Sequence, residues 1–165
     1  MSPRAGLDIN IILQHAANLI ENEGIEGLTL ATLAKSLGVR PPSLYNHFNG
    51  LNDLRNLLAA YGLEQLYQQL TESVIGFSGD QAIHEIGKAY VNFVRRYPEL
   101  YEASLRAPDP NHVNVQEAGE KIVQLSIRIL QAYDLTHDEA LHAVRGLRSI
   151  FHGFASFTIV VNWHS

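Results

Sequence analysis

"LTLATLAKSLGVRPPSLYNHFNG" spans residues 28–50 and sets the architecture of everything around it. Thr29 is an N-cap residue, because its side-chain oxygen accepts from the unpaired N–H groups of a first helical turn. "LATLAKSL" follows with helical apolar spacing, and Gly38 supplies the stop. Pro41 and Pro42 cannot occupy a helix interior, since each lacks an N–H and clashes with the preceding turn, but both fit a first turn. The residue before a proline is pushed out of the α region, which makes Arg40 the non-helical cap. The spacing therefore predicts a second short helix from Pro41 through Phe48, broken by Asn49-Gly50. Two short helices joined by a glycine-containing turn form the helix-turn-helix arrangement.

The flanks extend the same pattern, helical throughout with almost no period-two alternation. Asp8 caps a first helix carrying Ile9, Ile12, Leu13, Ala16, Leu19 and Ile20 on one face, and Gly24 ends it. A long helix follows from Leu51 to about Ile75. "GFSGD" at 76–80 reads as a loop, with Ser78 or Asp80 as cap of a helix reaching Tyr97. Pro98 restarts a short helix, and "APDPNHVN" (107–114) has the composition of a mobile loop. A helix from Val115 to Tyr133 and a last one capped by Thr136 complete an all-α chain.

Composition sets the bounds. The chain has 165 residues, 46% of them hydrophobic and 18% charged, which suits folded domains rather than disorder. It has no cysteine, so disulfides and thiolate metal sites are excluded. "MSPRAGLDIN" lacks the apolar core of a signal peptide, and "IFHGFASFTIVV" (150–161) is too short and interrupted to span a bilayer. A cytoplasmic protein with no membrane partner is expected. The formal net charge is −5, and residues 1–60 hold four basic against five acidic residues. A general nucleic-acid coat is strongly basic, so any DNA contact here has to be local.

In a helix-turn-helix, the second helix enters the major groove while the first crosses the backbone. Thr29, Ser43 and Tyr45 then offer hydroxyl donors to phosphates at the groove edge. Pro41 and Pro42 open the reading helix, and Pro42 and Tyr45 can touch thymine methyls. Arg40, Asn46 and His47 can reach base edges or phosphates. Leu44 and Phe48 point inward. The alternative is that the same unit simply packs, as it does in many helical proteins.

"ILQHAANLIENEG", "LTLATLAKSLGV" and above all "PPSLYNHFNGLNDL" together resemble the DNA-binding domain of the tetracycline-repressor (TetR) family of bacterial regulators over residues 9–58. The resemblance implies a homodimer on palindromic double-stranded DNA, with a C-terminal domain that binds a small-molecule effector. No cofactor and no metal are expected. By position, Thr29 and Tyr45 look like phosphate anchors, while Pro42, Ser43, Asn46 and His47 fall where the family reads the groove. Leu51 stands where the family commonly has lysine, and Arg40 where it often has a small hydroxyl residue. Residues 1–50 are thus expected to form the DNA-binding domain and residues 51–165 a dimerisation and effector domain. Members usually carry one more helix than is read here. The expected function is a transcriptional regulator, a repressor released by an effector, with a chromosome-organising DNA-binding protein of the same fold as the alternative.

On the last helix, Ala143, Leu147, Ile150, Phe154, Phe157 and Val161 form one apolar stripe, and Val144, Phe151, Ala155 and Ile159 form another. A helix apolar on two faces packs both ways. "RSIFHGFASF" also resembles the TetR branch marked by Trp-His-Gly near this place. His152 shares a polar line with Arg145, Ser149 and Ser156. It faces either a ligand or the dimer axis, or it is a core histidine satisfied by a carbonyl. Tyr90, Phe93, Tyr97 and Tyr101, with Arg145 and His152 as the polar groups, are the candidate effector pocket. Catalysis is not expected: there is no His-Glu-x-x-His, no Gly-x-Ser-x-Gly, no phosphate loop and no dinucleotide fingerprint.

Overall fold

The computed structural model describes residues 7–161, with side chains described through Phe157. Seven α-helices and no strand occur among the described residues: α1 Ile9–Glu23, α2 Leu30–Leu37, α3 Leu51–Ser73, α4 Gly79–Arg96, α5 Pro98–Leu105, α6 Val113–Leu130 and α7 His137–Val161. The all-α expectation holds. Asp8 caps α1 by accepting from the Asn10 N–H. Thr29 caps α2 in a reciprocal box with Thr32. Gly38 closes α2 at φ 66°, ψ 28°, a left-handed conformation that favours glycine.

Three boundaries differ from expectation. The segment after Gly38 is a 3-10 helix, Pro41–Asn46, rather than a longer helix to Phe48. Its bonds run from Ser43 N to Arg40 O (3.0 Å) and from His47 N to Leu44 O (2.9 Å). The prolines stand at the first two positions, whose N–H groups have no intrahelical partner in any case, so they set the start of the segment without selecting its i to i+3 pattern. Helix α3 stops at Ser73, ahead of Gly76 at φ 81°. Helix α6 begins at Val113 rather than Val115. Ser78 occupies the cap of α4 without a side-chain bond, and Asp80 instead accepts from the Tyr133 hydroxyl.

One buried cluster runs from Ile12 through Leu44, Phe48, Leu54 and Leu58 to Phe93, Tyr101 and Ala155. Leu44 and Phe48 anchor the 3-10 segment in it, as their inward placement requires. Helix α3 is the spine, packed by α4, α5 and α6, and α7 lies across α4 and α6. Helices α3 and α5 meet closely at Gly62, where an added Cβ would collide with Ser104 Oγ. On α7 the Val144, Phe151 and Ala155 stripe faces inward, while Ile150, Phe154 and Phe157 are 65%, 58% and 68% exposed. The Ile159 and Val161 side chains of these stripes lie outside the described residues.

Candidate DNA-reading surface and ligand cavity

The 3-10 segment is held from below and open above. Leu44 is fully buried, while Arg40, Pro41, Pro42, Ser43, Tyr45 and Asn46 are exposed and His47 is half-buried. Thr29 sits at the edge of the same surface, exposed at the start of α2. Its hydroxyl accepts from Thr32 N at 3.1 Å and lies 3.0 Å from Thr32 Oγ1, so a phosphate would compete with Thr32 for its proton. Residues 28–50 contain no Asp or Glu, and Lys35 and Arg40 are both exposed. A locally positive, acid-free surface thus sits on an acidic chain, which meets the requirement for a directed contact. Just behind it, the Asp53 carboxylate accepts from Asn49 N at 2.7 Å and fixes the turn that leaves the segment.

A cavity of about 320 Å³ lies in the C-terminal bundle. Leu66 and Leu70 of α3, Ile86 and Tyr90 of α4, Tyr101 and Ser104 of α5, Ile122 of α6, and Arg148 and Phe151 of α7 contribute to its wall. The Tyr90 and Tyr101 hydroxyls are 2.6 Å apart, and Tyr101 lies 2.6 Å from His152 Nδ1. Burial, above all, raises both tyrosines above their ordinary pKa, so the hydroxyls stay protonated. A continuous hydrogen-bonded line of two phenols and an imidazole therefore runs out from the cavity wall.

The 107–112 segment, expected to be a mobile loop, is fastened to α3. Asp109 N donates to the buried Asn56 Oδ1 at 2.8 Å, and His112 Nε2 lies 3.5 Å from the same Asp53. Ala107 and Pro110 of that segment line the cavity. Cavity wall, loop, start of α3 and reading segment are thus in sequence through named bonds. At the other end of α5, Glu21 of α1 accepts from Leu100 N at 2.8 Å. Burial raises the pKa of that carboxyl, against the lowering effect of this backbone bond.

Residues 12–65 match the family described as bacterial regulatory proteins, tetR family, and residues 83–162 match the tetracyclin repressor-like C-terminal domain. The chain is 41% identical over 155 residues to the uncharacterized HTH-type transcriptional regulator YobS of Bacillus subtilis (strain 168), covering 93% of this chain and 80% of that protein. The chain belongs to the TetR family. A protein of unknown function from Rhodococcus sp. RHA1 superposes with TM-score 0.80 at 25% identity, over 96% of this chain and 87% of that one. A TetR variant from Acinetobacter baumannii AYE in complex with minocycline shares the fold, with TM-score 0.69 at 23% identity, over 94% and 83%.

This TetR-family regulator does not bring all six candidate pocket residues together. Tyr90 and Tyr101 line the cavity, and His152 stands behind Tyr101. His152 is met by a phenol rather than by the carbonyl that the core reading supposed. Phe93 is core instead, 1% exposed, with its ring 5.4 Å from that of Tyr97. Tyr97 ends α4 beside the Arg96 guanidinium, away from the cavity wall. Arg145 is exposed and does not line the cavity, because it stands about 100° round α7 from Val144. The cation at the wall is Arg148, which sequence reasoning passed over. It falls on the inward stripe between Val144 and Phe151, and that register was the available signal. Among the described residues no His, Asp and Glu are grouped to hold a metal, and no helix is long and apolar enough to cross a membrane.

Proposed function

We propose that this chain is a homodimeric, cytoplasmic repressor that reads a palindromic operator through residues 40–47 and leaves it when a small molecule fills the cavity. The observation that carries the reading is the exposed, acid-free segment standing on buried Leu44, joined through Asp53, Asn56 and Asp109 to the cavity wall. Dimerisation is supported by the outward Ile150, Phe154 and Phe157 face, an apolar patch of the kind that marks a protein partner. One six-residue segment reads too few base pairs by itself, which also calls for two copies.

Selection from a random duplex library tests this. The recovered site is expected to be palindromic, with half-site centres about 34 Å apart or a multiple of that. Recovery of no palindrome would retire the reading. Sites scattered through a genome without regard to promoters would favour the chromosome-organising alternative.

Tyr45→Phe separates anchoring from readout. Tyr45 is 58% exposed, and removal of its hydroxyl deletes a phosphate donor without disturbing the core. A hydrogen bond to a charged group contributes about 1.5–3 kcal/mol, so affinity should fall roughly tenfold or more, equally for every single-base operator variant. Affinity measured across such a variant set checks this. An effect confined to one base position would make Tyr45 a base reader.

A further inference from the structure

We propose that the cavity takes an apolar monoanion, a carboxylate whose hydrocarbon part fills the aliphatic interior and whose head is held by Arg148. The proposal rests on the reading of the cavity as the effector site and names the chemistry of its ligand. Among the described residues, the cavity wall carries one cation, Arg148, and no carboxylate. Arg148 forms no ion pair with any carboxylate among the described residues. Its guanidinium remains charged at any ordinary pH and acts electrostatically on the Tyr90 and Tyr101 hydroxyls, which places charge and phenols in one neighbourhood.

The remaining polar groups sharpen the choice. Ser104 and Ser126 donate to the Leu100 and Ile122 carbonyls, each at 2.8 Å, so their protons are already used. The Tyr90–Tyr101–His152 line uses its own protons for its two bonds, leaving the Tyr90 proton free only when His152 Nδ1 donates to Tyr101, so Arg148 is the chief donor for a ligand. A guanidinium offers two parallel N–H groups, a geometry that fits a carboxylate. A cationic ligand would meet a like charge at the wall with no carboxylate opposite to receive it, and a neutral one would make no use of the guanidinium. At about 320 Å³ the cavity stands near the lower end of ligand sites, room for a single chain or ring with one head.

Calorimetry on the full chain with decanoate, 1-decanol and decylamine tests this, since the three share a tail and differ in head charge. Decanoate is expected to bind at least about tenfold tighter than 1-decanol, the equivalent of one charged hydrogen bond, and decylamine weakest. Arg148→Leu should erase the acid preference and leave 1-decanol binding within about twofold, because the exposed side chain is not part of the core. Arg148→Lys should restore part of the preference. Equal binding of acid and alcohol, a preference that survives Arg148→Leu, or binding of none of the three would overturn the proposal. Operator affinity measured with and without decanoate is a separate readout. Acid-selective binding that leaves DNA affinity unchanged retires the effector reading and upholds the ligand class. Operator release by other compounds without acid preference does the reverse.

Discussion

Phe93→Ala should lower the stability of the protein by about 3–5 kcal/mol, the cost of deleting a buried aromatic ring and leaving a void. The ring is 1% exposed and packs on Tyr97 within the continuous core. Chemical denaturation of wild type and variant gives the number directly. A midpoint on the order of 10 °C lower is the thermal counterpart for a chain of this size. The measurement also discriminates between two roles for this side chain. A pocket-lining aromatic, facing an existing void, would cost far less on truncation, and its loss would change which ligands bind.

Asn56→Ala should break the response to ligand while leaving both binding events in place. The side chain is 7% exposed and its Oδ1 receives the Asp109 N–H, the bond that ties the cavity-lining 107–112 segment to the first turns of α3. Its loss costs about 1 kcal/mol in stability, which the fold tolerates. Coupling between two sites is typically about 1–3 kcal/mol, so the ligand-induced drop in operator affinity should shrink by roughly fivefold or more. Reciprocity supplies an internal check: the DNA-induced drop in ligand affinity must shrink by the same factor. An undiminished response would assign the coupling to α3 alone.

Local chemistry was legible in the sequence wherever one residue type permits few conformations. The Asp8 and Thr29 caps, the Gly38 stop and the Pro41 start all stand where their side chains dictate. The tight 3-10 form of Pro41–Asn46 was harder to foresee, because the same prolines also suit the first turn of an α-helix. The candidate DNA-facing residues share one surface because they share one short segment. The cavity was half legible. Tyr90 and Tyr101 come from different helices, and helical spacing alone cannot distinguish them from Phe93 and Tyr97, which pack elsewhere. Arg148 hides because a charge on an apolar stripe is usually read as solvated, and the neighbouring Arg145 draws attention on the same helix. The Asn56–Asp109 bond joins residues 53 positions apart, and no local pattern reports it.

The acid-free surface at residues 28–50 has a kinetic meaning that follows from its setting. The chain as a whole carries −5, so most of its outer surface pushes away from a polyanion. If residues 40–47 read the operator as proposed, approach to DNA is productive in one orientation, and encounters in the others should end quickly. Such a protein gains little from the counterion release that lets basic proteins cling to arbitrary duplex. On the proposed reading, few copies would be sequestered on unrelated DNA, and a small pool would suffice to keep a single site occupied. The penalty is a slower search, because sliding along DNA depends on that same unspecific grip.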